Sequence, residues 1–166
     1  MSGFKPAQFQ TTCGSSVDVR PCGSVLEIAC RGNPDSALAD ILRAFAITLS
    51  PEPGCAAGED PQLIWMAPRR WWLVSDAGKL RAASLAGIAI TEIGDAQMRL
   101  EVRGDSARGW LSKSCPVDLR RQSFCNGRVA WTALHESRVL LQCRGDDAFD
   151  VYVDRSICQH MIDVLS

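Results

Sequence analysis

Cys115 stands in "WLSKSCPVDLRR" (Trp110 to Arg121), just ahead of a proline. A cysteine there could be a nucleophile, a redox thiol or half of a metal site, and each of these needs partners. A nucleophilic cysteine needs a base, usually histidine, and a depressed thiol pKa. The chain has two histidines, His135 and His160, and His135 heads the turn "LHESR", where a surface imidazole is expected. If a helix ends near Cys115, its negative end disfavours a thiolate. The expected role is therefore a buried thiol that marks a helix stop. The other cysteines are Cys13, Cys22, Cys30, Cys55, Cys125, Cys143 and Cys158, with no C-x-x-C pair among the eight. Zinc sites usually draw two ligands from one tight loop, so no metal is expected. Cys30 and Cys143 lie in alternating apolar runs and read as buried small hydrophobes. The opening "MSGFKPAQFQTTCG" has no apolar run of the secretory kind. A reducing, cytoplasmic setting is expected, and eight thiols rather than disulfides.

Other chemistries find little support. "RGNPDS" and "RGDS" place one glycine at each strand-helix junction, not the several that wrap a phosphate. No carboxylate pair falls in an obviously apolar setting. A net charge of -1 provides no basic surface for nucleic acid or an anionic membrane. No stretch approaches the roughly 20 apolar residues of a membrane span. The tryptophans remain: Trp65, Trp110 and Trp131 read as core, whereas Trp71 and Trp72 are adjacent on a predicted strand and must point to opposite faces. One can enter the core, and the other must meet solvent or a partner. Trp71 and Trp72, extended by Arg69 and Arg70, are the candidate partner interface. No catalytic, cofactor-binding or metal-binding residue is expected.

The elements that must position these residues occur twice. "VLEIACRGNPDSALADILRAFAITL" (Val25 to Leu49) is echoed by "MRLEVRGDSARGWLSKSCPVDL" (Met98 to Leu119). Each is an alternating strand, Arg-Gly, then a helix with Asn33 or Asp105 as its cap. Leu38, Ile41, Leu42 and Phe45 form one helical stripe; Ala107, Trp110, Leu111 and Ser114 form the other. "WWLVSDAGKLRAASLAG" (Trp71 to Gly87) then matches "FDVYVDRSICQHMIDVL" (Phe149 to Leu165), each read as a strand, an aspartate (Asp76, Asp154) and a closing helix. In the last helix Ile157, Met161, Val164 and Leu165 are the predicted buried face. Strands are also predicted in "SSVDVR", "GSVLEIAC", "QLIWMAP", "IAITEI", "AQMRLEV", "GRVAWTAL" and "SRVLLQC". The link Ser50 to Pro61 is polar and turn-rich. The prediction is one α+β domain over 1–166 of two β-β-α-β-β-β-α halves, about 15–87 and 88–166, with pseudo-twofold symmetry and a flexible stretch over about 1–13.

With these residues in view, "WLSKSCPVDLRRQSFCNGRVAWTAL" and "VLLQCRGDDAFDVYVDRS" resemble the gamma subunit of heterotetrameric sarcosine oxidase. "WMAPRRWWLV" is similar to an earlier Trp-rich block of that family. The resemblance implies the folate-binding fold of the aminomethyltransferase T-protein, built from two swapped halves. It also implies alpha, beta and delta partner subunits that oxidise sarcosine or a similar N-methyl amino acid. FAD, covalent FMN, NAD, tetrahydrofolate and zinc would belong to those partners, and this chain would be non-catalytic. Two departures stand out. The terminal "SICQHMIDVLS" lacks aromatics, and "TEIGDAQMRL" replaces the Asp-Val-Ser-like start of the wider superfamily. A free-standing folate-binding or one-carbon-transfer protein on the same fold is the alternative, and an adaptor without an amine-oxidase link is a third reading. The iron-sulfur maintenance relative carries Lys-Gly-Cys-Tyr-x-Gly-Gln-Glu, of which "SFCNGRVA" around Cys125 shares only the cysteine and a nearby glycine.

Overall fold

A computed structural model of the chain describes residues 7–48, 50–81 and 84–166. Alternating apolar and polar residues set the strands. In chain order these are β1 (Ala7–Gln10), β2 (Ser16–Pro21), β3 (Ser24–Cys30), β4 (Ala56–Ala57), β5 (Gln62–Ala67), β6 (Arg70–Ser75), β7 (Ile88–Glu92), β8 (Gln97–Arg103), β9 (Val129–Leu134), β10 (Ser137–Gly145) and β11 (Ala148–Asp154). Helix α1 (Pro34–Ala44) follows β3, α2 (Ala107–Leu111) follows β8, and α3 (Cys158–Leu165) closes the chain. All strand pairs are antiparallel and form two sheets, ordered β1-β2-β8-β11-β10-β9 and β4-β5-β6-β3-β7. The fold is α+β. Two compact units result: one runs to Pro21 and resumes over Ala96–Ser166, and the other is Cys22–Asp95.

The two sheets repeat one topology. Written from the matching end, β2-β8-β11-β10-β9 corresponds strand for strand to β7-β3-β6-β5-β4. β2 lies early in the chain yet pairs with β8, whereas β7 lies just before β8 yet pairs with β3. Each half thus lends its opening strand to the other's sheet. The second half shows the full β-β-α-β-β-β-α order, while in the first no closing helix occurs among the described residues.

Helix α1 starts where its cap predicts. Asn33 Oδ1 accepts from Asp35 N at 2.8 Å, and Pro34 takes the first turn. Ile41 is fully buried on its inner face, with Leu38, Leu42 and Phe45 packed half-buried beside it. Helix α2 departs from expectation. Its cap position is Ser106, not Asp105, and the helix is five residues long. The Ser106 hydroxyl is drawn away to Ser15 Oγ and Cys13 O, at 2.7 Å each.

The helix predicted after Asp76 is absent among the described residues; Ala82 and Ala83 of that segment lie outside them. Here tertiary hydrogen bonds outcompete helical ones. Ala77 N donates to Asp60 Oδ2 at 2.8 Å, and Leu80 N donates to Ser24 Oγ at 3.1 Å. Gly78 in mid-segment further weakens the helix. In the closing helix the buried face is Cys158, Met161 and Leu165, and Val164 is 39% exposed. Ile157 falls in a preceding 3-10 turn, so the stripe is counted from Cys158. Strands β1 and β4 add to the predicted set. β1 lies inside the stretch expected to be flexible, where the alternation of "AQFQ" sets Ala7 and Phe9 against the core.

Candidate partner interface

The predicted interface residues sit on the β5–β6 hairpin. Arg69 occupies its turn with φ of 65°, and its carbonyl accepts from Cys30 N at 3.1 Å. Arg70 opens β6, is exposed and ion-pairs with Glu27 on β3. The other Glu27 oxygen accepts from Trp72 Nε1 at 3.3 Å. The tryptophans do point to opposite faces, yet neither meets solvent: Trp71 is 3% and Trp72 4% exposed. This corrects the expectation that one of the pair lies open. β6 is the middle strand of its sheet, and the face bearing Trp72 is buried together with Val25, Ile64, Met66 and Val74. The structure leaves Arg69 and Arg70 as the accessible members of the set.

Trp131 reverses its prediction. Rather than entering the core, it is 39% exposed on β9 and lies under the Arg138 guanidinium, 4.2 Å from the ring centroid. Trp65 and Trp110 are half-buried against their cores.

One face of the six-stranded sheet carries a charge ladder that sequence reasoning missed. Register sets Asp18, Glu101 and Asp150 in one row across β2, β8 and β11, with Arg20 and Arg99 in the next. Glu101 receives Arg20, Arg99 Nε at 3.1 Å and Arg103 at 3.8 Å. Asp150 receives Arg103 at 2.7 Å and Arg144 at 3.5 Å. Asp150 is 2% and Arg99 4% exposed, so the ladder buries charged side chains with opposite charges beside them. The signal was present in "RLEVR", whose charges at every second residue share a face. The burial of that face was not. Glu101 and Asp150 lie directly opposite each other, but among arginines rather than in an apolar setting.

The segment after α2 is held by Arg108. Its guanidinium donates to the carbonyls of Leu119, Phe124 (3.1 Å) and Asp146 (2.8 Å), and lies 4.8 Å from the Phe149 ring centroid. Within that segment Asp118 is bound by Arg120 through both oxygens and by Ser123 Oγ at 2.7 Å. These bonds, Arg120 first, hold the Asp118 carboxyl well below the usual carboxylate range. Cys115 is buried with Sγ 3.4 Å from Thr132 Oγ1, in keeping with a structural thiol. His135 sits in the exposed β9–β10 turn with φ of 51°. All eight cysteines are unbridged thiols, and burial raises the pKa of Cys158. No cluster of metal-ligating side chains occurs among the described residues.

The Cys22–Asp95 unit has an open depression of about 370 Å³ lined by Ser24, Ser75, Asp76, Lys79, Glu92 and Asp95. Its central carboxylate is already committed. Glu92 accepts from Ser24 Oγ at 3.0 Å and from Val25 N and Gly94 N at 3.1 Å each. A side chain at Gly94 would press to 2.5 Å of Gly23 O, so the site is built to close backbone on backbone.

The sarcosine oxidase, gamma subunit family model matches residues 32–165. The chain belongs to the sarcosine oxidase gamma subunit family. The sarcosine oxidase subunit gamma of Corynebacterium sp. (strain P-1) is 26% identical over 94% of this chain and 81% of its own length. That of an Arthrobacter species gives the same identity and coverage. Among solved structures, a chain of the heterotetrameric sarcosine oxidase from Corynebacterium sp. U-96 in complex with pyrrole 2-carboxylate superposes with a TM-score of 0.75. It is 23% identical and covers 90% of this chain and 82% of that one, so it shows the fold alone. The segment with Cys115, Asp118 and Arg120, on which the resemblance first rested, lies inside the range matched by the gamma-subunit family. No helix of the described residues is long and apolar enough to cross a membrane.

Proposed function

We propose that this chain is a non-catalytic gamma subunit of a heterotetrameric sarcosine-oxidase-type complex, acting in the cytoplasm on sarcosine or a similar N-methyl amino acid. The observation that carries the reading is the gamma-family match over residues 32–165. The separation of reactive groups supports it: Cys115 rests against Thr132, while His135 lies in an exposed turn. In this reading alpha, beta and delta chains hold FAD, covalent FMN, NAD, tetrahydrofolate and zinc, and this chain contributes surface. Arg69 and Arg70 remain the proposed contact points on the β5–β6 hairpin, with Trp71 and Trp72 as the buried support beneath them.

Gentle affinity purification from the native source tests this directly. Recovery of flavin-bearing chains, seen by visible absorbance and mass spectrometry, is the expected result. A colourless monomer would defeat the reading. Titrating the purified chain with tetrahydrofolate while following tryptophan fluorescence separates the free-standing folate-binding alternative, which requires saturable quenching.

A further inference from the structure

The turn between β1 and β2 is fixed along its length. Thr11 N donates to Ser15 O at 2.8 Å, Gly14 N to Thr11 O at 2.9 Å, and Ser15 N to Thr11 Oγ1 at 3.1 Å. Gly14 takes φ of 86°, which lets the chain reverse within so few residues. The Cys13 carbonyl accepts from Ser106 Oγ at 2.7 Å, so the turn also rests on the start of α2. Just past the far end of α2, Lys113 Nζ donates to Cys13 Sγ at 3.6 Å. Lys113 is itself placed by its amide, which donates to Trp110 O at 3.2 Å.

Abundance does not explain this pairing. The chain has three lysines, Lys5, Lys79 and Lys113, and the fold sets one of them on a sulfur 100 residues away. Cys13 and Lys113 are both exposed, so a small oxidant reaches them. The other cysteines lack this combination. Cys22, Cys30, Cys115, Cys143 and Cys158 are buried, and Cys55 is half-buried. Cys143 does have a nitrogen nearby, Arg108 Nη2 at 3.7 Å, but a guanidinium stays protonated and cannot attack sulfur. Cys125 is exposed, with no hydrogen-bonded amine among the described residues.

We propose that Cys13 and Lys113 form a peroxide-sensitive modification site, which closes to a sulfur–nitrogen bond tying the β1–β2 turn to the end of α2. In the first step hydrogen peroxide transfers one oxygen to the Cys13 thiol. Sulfur is oxidised by two electrons to a sulfenic acid, and the peroxide is reduced to water. In the second step Lys113, having given its extra proton to solvent, attacks Sγ with the lone pair of its amine. The S–O bond breaks, the hydroxyl leaves as water with one amine proton, and a sulfenamide remains. Two external thiols reverse the bond, restoring thiol and amine as they couple to a disulfide. While closed, the link holds the turn that leads out of β1, the strand covering the β2 edge.

The test treats the folded full-length chain with hydrogen peroxide, caps remaining thiols and maps the digest by mass spectrometry. The expected product is a Cys13–Lys113 peptide pair about 2 Da lighter than the sum of its parts, lost on adding dithiothreitol. Lys113→Arg keeps the charge but removes the attacking amine. That variant should give no cross-link, and trapping of the Cys13 sulfenic acid by dimedone should rise roughly fivefold while Cys125 labelling stays level. A Cys13 that remains a thiol while Cys125 is oxidised overturns the proposal. So does a Cys13 sulfenic acid that never joins Lys113, or a Cys13 that goes instead into an intermolecular disulfide. Equal cross-linking in urea would assign the bond to random collision and overturn it too. If Lys113→Arg fails to fold, the comparison of folded and urea-unfolded wild type decides alone.

Discussion

The two units share a strand order and differ in how well each covers itself. Among the described residues, the core cluster of the unit holding the six-stranded sheet has twenty buried residues, with six more half-buried around them. Among the described residues, the cluster of the Cys22–Asp95 unit has nine buried, with eight half-buried. Two omissions account for the difference: no counterpart of α3 forms among the described residues after β6, and no strand covers β7. α3 lays Cys158, Met161 and Leu165 on one core, whereas Leu80 and Leu85 do that work only partly on the other. A duplicated element that loses its cover keeps its fold and gains apolar surface for a partner. The first unit closes its own core, and the second keeps a larger share of its cluster half-buried.

The largest predicted effect breaks this contrast most directly. Phe149→Ala, at a site with no exposure in the well-covered unit, should cost about 4 kcal/mol. Leu42→Ala, at a half-buried position in the other unit, should cost about 1 kcal/mol, since much of its surface is already wet. Urea unfolding of both variants checks the pair. Equal losses would mean that the second core is as closed as the first.

The charge ladder gives the next largest effect. Asp150→Ala leaves Arg103 and Arg144 without their shared carboxylate and should destabilise the chain by about 3 kcal/mol. Asp150→Asn should restore part of that loss, because one oxygen can still accept from Arg103. A loss below about 0.5 kcal/mol in Asp150→Ala would mark the ladder as solvated, as surface pairs are. At the comparable place the five-stranded sheet carries the Arg70–Glu27–Trp72 contact.

The strands were legible in the sequence because alternation fixes them locally, and the Asn33-Pro34 cap placed α1 for the same reason. What the sequence hid was decided across strands. Glu101 and Asp150 lie far apart in the chain and meet only through the β8–β11 register. Trp72 alternates correctly, and its burial beside Val25, Ile64 and Val74 is a fact no single strand records. The missing helix after Asp76 failed through Asp60 and Ser24, two distant acceptors that took its amides. Of the four candidate interface residues, Arg69 and Arg70 are exposed and the tryptophans beside them are not. The uncovered β7 edge could be recognised only once its twin was seen to be covered.

The smallest effect concerns the loop that closes the well-covered unit. Asp118 and Arg120 pin its turn, and the corresponding link in the other half, Ser50 to Pro61, carries β4 instead. Because the Asp118 carboxyl is held below its ordinary range, its contribution is present above the usual carboxylate pKa. It fades as pH falls through the lowered value. Both side chains are exposed, so salt should weaken the effect. Arg120→Ala removes the largest cause, and an NMR titration should then show the Asp118 carboxyl moving up toward ordinary values. A titration curve that stays in place would assign the shift to Ser123. In that case a Ser123→Ala variant should move the Asp118 curve where Arg120→Ala did not.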